Sequence, residues 1–180
     1  INKKSNIVGL FDITNKDYNK PFLILNTAYF SDGFYIKIPK NINVKKPLYI
    51  LSICNDNNAS YPRLHIDAQE NSTIKIIHHH IGIDEQKYYR NNVTSINSSH
   101  NSNVFFANIY EESEKSFSMN NFIINQNGGS NIEMLNFFIK SGFFRSNITG
   151  NLNEENSSIS IDGLFLGNKN EFIDNNIIIN

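Results

Sequence analysis

Short apolar runs alternate with small polar breaks along the whole chain. The stretch FSDGFYIKIPKNINVKKPLYI, from Phe30 to Ile50, reads as turn, short strand, turn, short strand, with a proline at each turn. Pro, Gly and Asn-Ser clusters interrupt the chain about every ten residues, and the runs between them are rich in Ile, Phe, Val and Tyr. Inside the runs the alternation has period two. In ISID, Ile159 and Ile161 share one face while Ser160 and Asp162 share the other, and Ile74 and Ile76 flank Lys75 in the same way. Strong helical periodicity is hard to find. The pattern predicts many short strands joined by Asn/Ser/Gly turns, Asn being a residue that tolerates left-handed geometry.

The runs repeat. NSTIKIIHHHIG from Asn71, NSNVFFANIY from Asn101, GSNIEMLNFFI from Gly129 and NSSISIDGLFL from Asn156 start 30, 28 and 27 residues apart. A second set interleaves with them: NNVTSI from Asn91, NNFIIN from Asn120, SNITGNL from Ser146 and DNNIIIN from Asp174. Two strands per repeat of about 28 residues predict a parallel β-helix, right-handed, in which each strand pairs with its counterpart one coil away. One coil alone cannot bury its inner face. A stack can, and each buried Ile then contributes about 1.5–3 kcal/mol. An antiparallel sandwich is the competing fold, but it does not explain the two-level repeat. The expected organisation is a lead-in over residues 1–21, the tail of a preceding domain being one reading of it, followed by a β-helix core over residues 22–180.

Composition narrows the function classes. The 180 residues carry 16 basic and 17 acidic side chains, for a net charge of −1, so no bulk field favours nucleic acid or an anionic membrane. Cys54 is the one cysteine, which excludes an internal disulfide. No apolar run reaches membrane-spanning length and no signal-peptide pattern opens the chain. A cytoplasmic compartment or an organelle matrix is the expectation. The chain starts at Ile1 rather than Met and ends in the apolar IDNNIIIN, so both ends read as cuts within a longer protein. The exposed last strand around Ile173–Ile179 is then expected to drive self-association.

Candidate chemistry is sparse. In His78-His79-His80, a strand puts His78 and His80 on one face and His79 on the other, so at most two could ligate one ion. No further ligands stand at matching spacing, and the triplet reads as a surface or partner face rather than a metal site. His65 and His100 could stand near it on neighbouring coils. Cys54 has no local base or orienting group and reads as a buried structural cysteine. Glu111, Glu112 and Glu114, like Glu154 and Glu155, fall at turns and read as solvated. Glu133 and Asp162 lie on strands of different coils and could face one another as paired acids. QNGGSN reads as a tight turn between coils, without the context of a phosphate loop. No catalytic, cofactor-binding or metal-ligating residue is assigned.

The opening stretch also carries a resemblance. LNTAYFSDGFYIKIPKNINVKKPLYIL has Asn26, Ala28, Phe30, Asp32, Gly33, Ile38, Pro39, Lys40, Lys46 and Pro47 where the SufB/SufD family of iron–sulfur cluster assembly proteins has its own pattern. YPRLHIDAQENSTIKIIHHHIG is similar to the next segment of that family. Downstream, Gly142, Arg145, Asn147, Leu152, Asn156, Gly163 and Asp174-Asn175 match as well. The resemblance covers about Phe22 to Asn180. SufB chains typically place a cysteine just after the strand occupied here by His78–Ile81, where this chain has Ile81-Gly82-Ile83 and no cysteine, so the sequence looks more like SufD. In SFSMNN, Ser, Met and Asn stand at positions that are His in relatives. The resemblance implies a non-catalytic scaffold subunit that pairs with a SufB-like paralogue and a SufC-like ATPase. The parent complex would build the iron–sulfur cluster, and this chain would bind no cofactor. It also implies a cytoplasmic or plastid-stroma location. The SufC-binding helices and a Cys/His-containing region are expected beyond the point where this chain stops. The alternatives are a β-helical carbohydrate-active enzyme, which needs converging acids, and an adhesin-like binding solenoid.

Overall fold

A computed structural model of the protein describes residues 20–30, 32–55, 58–83, 85–168 and 170–180. Most of the 1–21 lead-in therefore lies outside the described residues. The first described element is a helix, α1 (Pro21–Tyr29), with a proline in its first turn. The strands follow as β1 (Gly33–Ile38), β2 (Leu48–Cys54), β3 (Ala59–Ser60), β4 (Arg63–Ala68), β5 (Thr73–Gly82), β6 (Tyr89–Ser98), β7 (Asn103–Glu111), β8 (Phe117–Gln126), β9 (Asn131–Lys140), β10 (Phe143–Leu152), β11 (Ser158–Phe165) and β12 (Phe172–Ile179).

They form two parallel sheets. One runs β1-β4-β6-β8-β10-β12, with β3 beside β6, and the other runs β11-β9-β7-β5-β2. From β4 onward successive strands alternate between the sheets, which makes a β-solenoid of about five turns. Thr73 pairs with Asn103, Asn103 with Asn131 and Asn131 with Ser158, so the ladder steps by the 30, 28 and 27 residues of the sequence repeat. The strands of the opening stretch are β1 and β2.

The turns explain the spacing. Asn41, Asn71, Asn101, Gly129 and Asn156 all have positive φ, from 55° to 69°, and they stack one above another at one corner of the coils. The Asn71 side-chain amide donates to Asn41 Oδ1 at 3.0 Å, and that of Asn101 donates to Asn71 Oδ1 at 3.3 Å. Asparagine adopts this left-handed geometry at low cost and bonds its own copy one coil away. At Gly129 a Cβ would overlap Asn101 Oδ1, so only glycine continues the column there.

The interior next to this corner is apolar. Ile38, Leu64, Ile66, Ile74, Ile76, Ile96, Val104, Phe106, Phe122, Ile124, Ile132, Met134 and Ile148 make one buried cluster, with Ile159 and Ile161 packed against it. Lys75 and Ser160 point outward, as the alternation requires.

Helix α1 lies on the outer face of the first sheet, against β6 and β8. It was not visible as a periodic pattern because its docking is polar. Asn26, fully buried, donates to Asn91 O at 2.6 Å and Pro62 O at 3.2 Å and accepts from Arg63 Nε at 2.5 Å. Arg63 also donates to Thr27, and Asn91 returns a bond to Phe22 O at 2.7 Å. Burial lowers the Arg63 guanidinium to about 10.

Candidate functional site

At the opposite corner of the coils the inward positions turn polar. On β2 they are Ser52 and Cys54, on β5 His78 and His80, and on β7 Asn108 and Tyr110. Arg90 and Asn92 on β6, and Ser118 and Asn120 on β8, are buried with them. Glu112 follows β7 with the same parity and is fully buried.

Arg90 is the hub of this corner. Its Nη1 lies 3.0 Å from Glu112 Oε1 and 2.9 Å from His80 Nδ1, and its Nη2 donates to Cys54 Sγ at 2.8 Å. Ser118 Oγ donates to the same Glu112 oxygen at 3.3 Å, and Asn120 donates to Ser118 Oγ at 3.1 Å. His78 Nε2 meets Ser52 Oγ at 2.8 Å, and its ring lies 3.9 Å from that of His80. His80 stacks on Tyr110 at 4.7 Å. Tyr110, Phe138 and Phe144 then close the corner toward the later coils with a second apolar cluster.

Electrostatics follow from burial. Desolvation, helped by the charge of Arg90 and by His79, pushes His78 down to about 3, and it holds His80 well below the ordinary imidazole value. Both rings are neutral at pH 7. Burial alone would lower the Arg90 guanidinium, but Glu112 and then Cys54 raise it above its ordinary value. Burial, then Glu112, raises the Tyr110 phenol far above its usual range.

The structure corrects several sequence readings. His78 and His80 are not a surface or partner face, because the parity of Ile74 and Ile76 carries both inside. Only His79 faces outward, where its Nδ1 meets Tyr49 Oη at 2.6 Å and its Nε2 lies 3.3 Å from Glu111 Oε2. Glu112 is not a solvated turn acid, because it pairs with Arg90 inside the coil. Cys54 is half-buried rather than sealed in the core, since β2 is the edge strand of its sheet. His65 lies beside Tyr35 and Ser95 on the outer face, and His100 pairs with Glu154 at the turn corner, so neither joins the triplet. Glu133 and Asp162 do not face one another: Glu133 pairs with Ser160, and Asp162 with Leu135. Glu154 and Glu155 are exposed, and QNGGSN is a tight turn.

Arg90 carries no motif of its own in the sequence. Its signal was parity, since Asn92, Thr94 and Ile96 on the same strand all point inward. Among the described residues no group of three His, Cys, Asp or Glu side chains could hold a metal ion, and no helix is long and apolar enough to cross a membrane.

A two-sheet parallel solenoid with its polar chemistry turned inward, at one corner, is a stacking frame rather than an open acidic cleft. A family model described as SUF system FeS cluster assembly, SufBD core domain, matches residues 51–180. The chain belongs to that family, which places it in iron–sulfur cluster assembly. The match runs from within β2 to the end of the chain. No curated protein and no solved structure matches it.

Proposed function

We propose that the chain is the scaffold core of a SufD-type subunit, which pairs with a SufB-like paralogue and with a SufC-like ATPase in a cluster-assembly complex. The observation that carries the SufD-type reading is Gly82. It lies in Ile81-Gly82-Ile83, the segment after the strand where SufB-type chains carry a cysteine and this chain has none, and a Cβ there would overlap the Tyr88 hydroxyl and the Ser113 backbone nitrogen. Tyr88 Oη in turn accepts from Ser113 N at 3.2 Å. A cysteine at this position would require that corner to rebuild. The coil is therefore packed tightly at Gly82, with no room for a side chain.

A second reading rests on the register of the strands. Cys54 pairs with Gly82 across β2 and β5, so a thiol stands one rung from that position, and Arg90 donates to its sulfur. On this reading the subunit takes part in sulfur handling itself.

The test is affinity purification of the full-length protein under anaerobic conditions, with iron and acid-labile sulfide assayed in what co-purifies. Recovery of a SufB-like subunit and an ABC-type ATPase, with cluster content unchanged by Cys54→Ser, supports the scaffold reading. Loss of sulfide in Cys54→Ser, with the partners retained, favours the second. Recovery of the protein alone overturns both and returns attention to a carbohydrate-binding solenoid.

A further inference from the structure

The polar corner has more hydrogen-bonding capacity than its own side chains use. Arg90 Nη1 lies 2.9 Å from His80 Nδ1. A guanidinium can only donate, so Nδ1 accepts, and the neutral ring carries its proton on Nε2. That N–H is buried on a side chain 1% exposed and has no acceptor. Glu112 presents the reverse case. Its Oε1 receives Arg90 and Ser118, while its Oε2 is buried and receives nothing.

The neighbouring groups share this condition. His78 Nδ1, Tyr110 Oη, Asn108 Oδ1 and Asn120 Oδ1 are buried and unpaired as well. They are contiguous. The His78 ring touches that of His80, which stacks on Tyr110; Asn108 follows His78 in register; and Asn120 reaches Glu112 through Ser118. Native interiors leave only a few such atoms per hundred residues, and rarely in one place.

We propose that this corner of the second and third coils is a hydrated internal site, in which ordered water molecules bridge His80 Nε2, Glu112 Oε2 and the unpaired atoms beside them. The donor and acceptor inventory selects water. An anion would be welcomed by the His80 N–H and the Tyr110 hydroxyl but repelled by the free Glu112 oxygen. A cation would suit that oxygen but meet the Arg90 guanidinium 3.0 Å from the same carboxylate. Only a species that both donates and accepts satisfies both ends, and buried water typically makes about three such bonds. Tyr110, Phe138 and Phe144 close the site toward the later coils, and half-buried Cys54 lies beside Arg90 toward the earlier ones. This inference does not depend on the assembly reading.

The test is a crystal structure of the full-length protein at ~1.2 Å or better, from crystals soaked in sodium bromide. Oxygen-sized peaks at roughly 2.7–3.2 Å from both His80 Nε2 and Glu112 Oε2 are expected, with no anomalous signal there. Bromide at His80, a metal peak at Glu112, or a dry corner would each overturn the proposal. Oxygen-17 relaxation dispersion of the same protein should show long-lived internal water, and its absence would also overturn it.

Discussion

Arg90 and Glu112 form an ion pair with side chains 2% and 0% exposed, 22 residues apart in sequence. Removing one partner leaves the other charged and desolvated. Glu112→Ala should therefore cost about 3–5 kcal/mol in urea unfolding. The double substitution Arg90→Met with Glu112→Leu should recover most of that loss, because it removes both charges and refills the space. A single variant of unchanged stability would contradict the pairing. His78 makes a second prediction. Its folded value is about 3 against an ordinary 6.5, so the unfolded chain binds the extra proton. Stability from the neutral ring is fully present above pH 6.5 and is lost as pH falls toward 3. His78 alone should remove about 2 kcal/mol by pH 5, and His80 shifts in the same direction. A stability–pH profile of His78→Asn should be shallower over that window than that of the native protein, and an unchanged slope would place the ring in solvent. Both residues illustrate what sequence parity can and cannot convey. Period two, continued from Ile74 and Ile76, puts His78 and His80 inside. Charge alone argues for the surface, and for Arg90 and Glu112 that argument fails because each meets its partner inside the coil.

At the scale of elements, strands and turns were legible for a local reason. Each coil begins at an Asn or Gly that must take positive φ, and the following run alternates strictly because one face has no water. Helix α1 was not legible, because what holds it lies far along the chain. Asn26 bonds Asn91, 65 residues away, and Pro62, 36 away. Nothing in PFLILNTAY announces those partners. Asn26→Leu keeps the volume but strands the carbonyl oxygen of Asn91, at about 1–3 kcal/mol for an unsatisfied group, while Pro62 O keeps its bond from Val93 N. The expected outcome is local. Hydrogen exchange at Leu23, Ile24 and Phe30, whose amides bond within the helix, should accelerate by roughly tenfold or more, while β5 to β10 keep their protection. Protection lost across the coils as well would mean that α1 is integral to the stack and not an applied clasp.

At the scale of the whole molecule, every coil contacts only its two neighbours, so each inward column must be continued to stay dry. The first-sheet column Leu64, Thr94, Phe122, Ile148 shows the rule, with Leu64, Phe122 and Ile148 all 3% exposed or less. Ile177 is the next member and is 49% exposed, and Ile179, which continues Ile66, Ile96 and Ile124 past Gly150, is 47% exposed. Leu164, Phe165 and Leu166 are exposed at the end of the other sheet. A polypeptide ending at Asn180 thus presents two parallel strand edges, β11 and β12, with inward apolar side chains that no further coil covers. Such edges recruit further strands. We predict concentration-dependent self-association of that polypeptide in sedimentation velocity. Ile177→Lys with Ile179→Lys should suppress it, since two charges inside the next rung cannot be desolvated. Outward-facing Ile178→Lys should suppress it less, because its side chain lies beside the stacking surface and not within it. Association unaffected by the inward pair would locate the contact elsewhere, on the apolar outer face that Tyr49, Leu51 and Phe137 leave exposed. A monomer at all concentrations, with that edge free, would overturn the prediction.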